Sequence, residues 1–434
     1  MKKKNILIIS SIALLVCAAI AAVVVPNLLI PEIEKGYDVP KVLIYTDGQE
    51  IVTEGYTDCK IVIVDEKDGK YKTIRDEAST IKVRGNSTSA GRKKPYNIKF
   101  SEKTDVLGMG ENKKWSLLSN CFEKTLIRNQ LAFDIAKQLE VPYTPDYRVV
   151  DVYVDDVLQG TYLLVDSIEV GPTRVDIDTS NNEYLLELDK NPEDEESQYF
   201  FSGSYHVKFA INEPKLKDLS TEQFEYVKKL VKDAELALAS RDMKEIEKYF
   251  DMESMASFYL TQEFFKNVDV NTSSTRFHIK GGKIYGGPVW DFDLSSGNYR
   301  KDYYTSMYDS RGKSYTGLHA VNMPWFDALT RIPEFQGMVN DKFLSMQDVF
   351  VNLYEDNVNG QNHIDETIAA YQESINRNYG EAGWEPSKIY TSGYYLERWP
   401  NTTYERNVEF LRDWLKNRNE WLLKEWGLDN STND

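Results

Sequence analysis

Near Pro214 the hydrophobic pattern of the chain changes period, and that change limits what it can fold into. Between 42 and 188 apolar residues alternate or form β-branched runs broken by turn residues, as at 42–45, 60–64, 81–84, 96–100, 148–154, 161–165 and 184–188. A period of two is the pattern of strands. One helix is expected to interrupt them over 125–139. Beyond Pro214 the period lengthens: Ser220 and Gln223 have the form of a capping box, and Phe224, Val227, Leu230, Val231, Ala234 and Leu238 share one helical face. Further helices are expected over 252–266 and 404–426, with one hairpin over 275–289 between them. This order predicts an α+β fold with a strand-rich region over 40–188 and a helical region over 189–427. The acidic stretch 190–200 (KNPEDEESQYF) reads as a solvated loop.

Residues 6–25 are apolar except for Ser10 and Ser11, and Lys2, Lys3 and Lys4 precede them. Twenty residues of helix just span a hydrocarbon core. The expectation is an N-terminal transmembrane helix within residues 1–31, a single-pass anchor in the cell membrane, with the lysines cytoplasmic and the main domain extracytoplasmic. A cleaved signal peptide is the competing reading. The anchor is preferred because the apolar run is long and no clear small-x-small cleavage site follows it.

Composition excludes several functions. The 434 residues carry 52 Lys and Arg against 69 Asp and Glu, a formal charge of −17, and the three N-terminal lysines leave the remainder at −20. Such a surface repels nucleic-acid phosphates, so no nucleic-acid partner is expected. Four histidines and three scattered cysteines provide neither a cysteine-rich zinc module nor a disulfide framework. Carboxylate chemistry with an oxygen-loving metal is what the composition favours.

That chemistry concentrates between Asn267 and Asn298. Gly281 and Gly282 are a two-residue hairpin signal, and with them as the loop, paired positions sum to 563. Extending the ladder puts Asp291 near Thr272, beside the loop that holds Asp269, Asn271 and Ser274. Hard oxygen ligands then converge at one end of a hairpin, which suits Mg²⁺ and a phosphate. Taken singly, Asp269 and Asn271 are ordinary turn formers and Asp293 an ordinary cap. Together, an Asp-bearing loop after a helix, a hairpin and a second Asp follow the order protein kinases use for base and metal ligand. A calcium loop fits less well, since the glycine after Asp291, Asp293 and Ser295 comes one residue late and no Glu stands twelfth.

A second constellation spans 81–100. With Ile81, Val83, Ile98 and Phe100 facing a core, Lys82, Arg84 and Lys99 share the opposite face, flanking a loop whose glycines and hydroxyls could bind an anion. An exposed basic hairpin is the equal alternative. Lys93 is read as a loop lysine with little part in such a site.

These residues resemble the CotH kinase family, atypical protein kinases first associated with bacterial spore coats. Carrying the resemblance are Arg84-Gly85-Asn86-Ser87, Lys94-Pro95-Tyr96-Asn97-Ile98-Lys99-Phe100, Leu117-Leu118-Ser119-Asn120, Lys124-Thr125-Leu126-Ile127-Arg128-Asn129, Gly160-Thr161-Tyr162-Leu163-Leu164, Tyr184-Leu185-Leu186-Glu187-Leu188-Asp189 and Pro288-Val289-Trp290-Asp291-Phe292-Asp293. It implies a two-lobe, protein-kinase-like fold with a strand-rich N-lobe and a helical C-lobe, ATP with Mg²⁺ or Mn²⁺ as cofactors, and phosphoryl transfer to Ser or Thr of a protein. By the same resemblance Asp269 is the catalytic-loop acid and Asp291 the catalytic metal ligand; Asp293, among the oxygen donors gathered at the hairpin end, and Asn271, in place of the usual kinase Asn, are the further metal candidates. Lys99 is expected at the ATP phosphates, with Arg84, Lys82, Asn86, Ser87 and Arg128 as further nucleotide contacts. Ser274 stands where many kinases have a metal-binding Asn, and no Glu in 125–139 is an evident partner for Lys99. The alternative is a cell-surface or spore-surface binding or assembly protein, a pseudokinase that transfers no phosphate. A carboxylate-based hydrolase is a third possibility.

Overall fold

The computed structural model describes residues 38–65, 70–191, 193–299, 314–384 and 403–429. The expected anchor at 6–25 lies outside the described residues, and no helix among those described is long and apolar enough to cross a membrane.

Seven strands close into a barrel: β1 (Lys41–Tyr45), β2 (Thr57–Val64), β3 (Ile74–Val83), β4 (Tyr96–Asp105), β5 (Glu111–Leu118), β6 (Tyr147–Val154) and β7 (Val157–Asp166). Their spatial order is β1-β2-β3-β4-β5-β7-β6, and β6 closes the ring by pairing in parallel with β1. Alternation explains the filling. Val42 and Ile44, Ile61 and Ile63, Ile81 and Val83, Ile98 and Phe100, Trp115 and Leu117, and Val150 and Val152 all point inward. On β6 and β7 the other face is also apolar, because Val149, Leu163 and Val165 pack in a second core with Leu131 and Ile135 of helix α1 (Arg128–Gln138).

The second sheet contains β8 (Tyr184–Leu188), β9 (Gln198–Phe201), β10 (Lys208–Glu213), β11 (Thr275–Lys280) and β12 (Lys283–Gly286), in the order β12-β11-β8-β10-β9. Strand β9 corrects the reading of 190–200 as loop throughout: Phe200 is buried against Phe209, with ring centroids 5.8 Å apart, which draws 198–201 into the sheet.

Helices follow: α2 (Thr221–Ser240), α3 (Met243–Ile246), α4 (Met252–Phe264), α5 (Pro324–Thr330), α6 (Pro333–Ser345), α7 (Gln347–Asn352), α8 (His363–Ala370), α9 (Gln372–Tyr379) and α10 (Tyr404–Glu425). The fold is thus α+β, strand-rich first and helical later. Ser220 and Gln223 form the expected reciprocal box at the start of α2. Helix α4 is buried on nearly all sides, and the β11–β12 hairpin rests directly on it. A Cβ on Gly286 would stand 2.7 Å from Cβ of Phe258, so only glycine permits that approach.

Candidate active site

Helix α4 is capped by Asp251, whose side chain accepts from Ser254 N–H, and ends at Phe264, three residues before Asn267. The turn that follows is organised by short bonds. Asn267 Oδ1 accepts from the N–H of Asp269 at 3.1 Å, and the carbonyl of Asp269 accepts from Thr272 at 2.7 Å. Lys190 N–H donates to the Thr272 carbonyl at 2.9 Å, tying the turn to the chain just beyond β8. From there β11 and β12 pair with Phe277 opposite Gly286 and Lys280 opposite Lys283, the register the Gly281-Gly282 loop predicts. The ladder stops before Thr272 and Asp291, so these two are not paired as extrapolation suggests. The Ser274 hydroxyl donates to Asp291 Oδ2 at 3.3 Å.

Two contacts hold the ends of this hairpin. Glu187 on β8 accepts from Ser274 N–H and from Arg276 Nη2, each at 3.0 Å. Asn129 of α1 accepts the N–H of Phe292 at 2.8 Å and thereby fixes the backbone beside Asp291. Both Ser274 and Asp291 have positive φ, 60° and 66°, a region that bulky L-residues rarely occupy and that often marks functional turns.

Asp269 and Asp291 open into one cavity of about 460 Å³. Arg84, Asn86, Ser87, Glu187, Arg276 and Trp290 are also on its wall. Arg84 and Arg276 both lie over the Trp290 indole, at 5.4 and 5.8 Å from its centre. Burial, reinforced by the charge of Asp291, pushes the Asp269 carboxyl up to about 7. Asp293 is buried and off the cavity wall, and burial together with Asp291, Asp269 and Glu123 raises it well above the carboxylate range. Burial also raises Glu187, opposed by the Arg276 guanidinium. A hard divalent ion would offset the repulsion among Asp269, Asp291 and Asp293, and carboxylate oxygens are the donors such an ion takes. Among the described residues no three His, Cys, Asp or Glu side chains form a ready-made metal cage. Asp291 is on the cavity wall and Asp293, off the wall, is hydrogen-bonded to it, so a metal there would be held through Asp291 with Asp293 behind it, as Mg²⁺ is when substrate phosphates complete its shell.

Other candidates fall elsewhere. Asn271 belongs to the turn but is not on the cavity wall, and Arg128 is buried in an ion pair with Glu123. Lys99 is exposed on β4, where its strand neighbours are Thr80 and Lys114. Lys82 shares that outer face and lies 5.0 Å from the Tyr56 ring. Alternation sorts side chains between the inside and outside of the barrel, whereas the cavity meets the loop that leaves β3 at Arg84. Arg84, and neither lysine, therefore lines the cleft. Gly85 makes that exit possible: its φ is +87°, and a Cβ there would meet Thr88 Oγ1 at 2.0 Å. Sequence reasoning did not single out Glu187, Arg276 or Trp290 for the site. The available signal was the resemblance, since Glu187 and Trp290 stand in two of the runs that carry it; that Glu187 lies directly opposite Arg276 emerges only once β8 and β11 pair.

A strand barrel joined to a helical region, with two acid-bearing segments meeting at one cleft, defines the class of protein. The chain belongs to the CotH kinase family, whose model, described as CotH kinase protein, matches residues 81–422. It is a kinase-like protein. No curated protein matches it.

Proposed function

We propose that the protein is a membrane-anchored protein kinase that transfers the γ-phosphate of ATP to Ser or Thr of a protein substrate. The observation that carries this reading is that Asp269 and Asp291 share a cavity with Arg84. Phosphoryl transfer requires charge neutralisation at the triphosphate and orientation of the acceptor hydroxyl. Arg84 attracts phosphate oxygens, and Asn86 and Ser87 beside it offer polar contacts. Asp291, with Asp293, would hold Mg²⁺ or Mn²⁺, which when bound neutralises phosphate oxygens. Asp269, which faces the same cavity, accepts the hydroxyl proton of the acceptor. On this reading the barrel is the N-lobe and the helical region the C-lobe, with the domain extracytoplasmic.

The test is incubation of the full chain with labelled ATP and Mg²⁺ or Mn²⁺, scoring acid-stable label on Ser or Thr of the protein itself or of a Ser-rich substrate. Metal-dependent label supports transfer; nucleotide binding without label in any such substrate would favour the pseudokinase. Membrane attachment has its own test: the protein should stay in membranes after a high-salt wash, and a mature N-terminus near residue 27 would refute the anchor.

A further inference from the structure

Lys93, in the loop between β3 and β4, is 2 % exposed. Its Nζ donates to the Thr161 carbonyl on β7 at 2.5 Å and to Asn378 Oδ1 on α9 at 2.7 Å, and stands 4.7 Å from the centre of the Tyr162 ring. Removing an ammonium from water is costly unless acceptors replace its hydration, and here two oxygens and an aromatic face do so. The same Asn378 oxygen accepts from Thr161 N–H at 3.1 Å.

Helix α9 is itself held firmly. Ser374 Oγ donates to the buried Asp151 of β6 at 2.5 Å, and Arg377 Nε donates to the other oxygen of Asp151 at 2.7 Å. Asp38 accepts from the N–H groups of Glu373 and Ser374 and pairs with Arg377. The helix is therefore a fixed support on the barrel wall.

Through these bonds Lys93 ties its own loop, 84–95, to β7 and α9, and the first four residues of that loop line the cavity. Bonds within the loop connect the two parts. Arg84 N–H donates to the Pro95 carbonyl at 3.0 Å, Lys94 Nζ to the Ser89 carbonyl at 2.7 Å, and Ser89 Oγ to the Asn86 carbonyl at 2.7 Å. Asn86 and Ser87 are otherwise exposed, so little apolar packing holds them in place.

We propose that α9, through the Lys93–Asn378 contact, fixes the loop that presents Arg84 to Ser87 to the cavity, making Lys93 and Asn378 positioning residues for nucleotide phosphates that neither touches. The identity of the ligand rests on the kinase reading; the bracing of the loop does not. A purely structural role predicts a lower melting temperature with unchanged loop exchange and unchanged ATP KM in the folded enzyme.

The experiment uses the full chain with Lys93→Met, Asn378→Ala and Asn378→Asp, the last keeping an acceptor oxygen for the lysine. Amide hydrogen exchange over 84–95 is measured without nucleotide, and ATP KM and kcat are measured with Mg²⁺. Lys93→Met and Asn378→Ala should exchange roughly tenfold faster in the loop and raise KM about tenfold, with kcat changed much less, while Asn378→Asp stays near the parent. If Lys93→Met does not fold, Asn378→Ala carries the same expectation. Unchanged loop exchange in a folded variant would overturn the proposal, as would faster exchange with an unchanged KM. A parent protein that binds no MgATP would sink the kinase reading, and exchange alone would then decide the brace.

Discussion

The hydroxyl of Ser274 donates to Asp291 Oδ2 at 3.3 Å, joining the two acid-bearing segments across the open end of one hairpin. Neither residue sits in an easy backbone conformation, and each is held from outside: Ser274 by Glu187 and the Asp291 segment by Asn129. The spacing between Asp269 and Asp291 therefore depends on residues from β8 and α1.

Glu187 makes the larger of these contributions, because one oxygen serves both the Ser274 N–H and Arg276. Glu187→Gln keeps an acceptor but removes the charge. It should cost about 1–3 kcal/mol in urea unfolding and lower kcat more than it raises ATP KM. A variant with parental stability and parental kcat would show that the pair does not hold the site.

Asp269 faces the cavity without any assigned hold on the metal. Asp269→Asn should abolish transfer while calorimetry finds MgATP affinity within a few-fold of the parent. Lost nucleotide binding would make it a metal or structural residue instead.

Arg84 and Lys99 separate the cleft from the barrel surface. A charged hydrogen bond to phosphate is worth about 1.5–3 kcal/mol, so Arg84→Met should weaken MgATP binding by roughly tenfold or more. Lys99→Met should change stability and affinity by no more than about 0.5 kcal/mol. The opposite ranking would return the phosphate site to β4.

His278 sets an acid limit on stability. It lies between Tyr143 and Tyr285, with Nδ1 3.2 Å from the Gly287 carbonyl, and burial lowers its pKa to about 4. The unfolded chain takes up that proton near pH 6.5, so this contribution is complete above about 6.5 and lost as pH falls toward 4. Urea midpoints measured from pH 7 to 4 should fall less steeply for His278→Gln than for the parent. Equal slopes would contradict the assignment.

Local and short-range features were the legible ones. The Gly281-Gly282 register, the capping box at Ser220 and the alternation inside the barrel each depend on neighbours in sequence. Alternation failed at Lys99 because it reports inside against outside, and the site lies where β3 ends. Lys93 read as a loop lysine with little part in the site; it does lie in the loop, but it is buried, and its partner Asn378 is 285 residues away, beyond the reach of any periodicity. Glu187 sits in a mostly apolar run and acquires its role only when β11 pairs with β8.

The central claim is that Asp291 holds the metal that MgATP chemistry requires. The direct measurement is transfer of label from ATP by the full chain and by Asp291→Asn, titrated with Mg²⁺ and Mn²⁺ alongside melting temperatures. The account predicts metal-dependent label for the parent and none for a variant that melts like a folded protein. Equal metal-dependent transfer by both would contradict it.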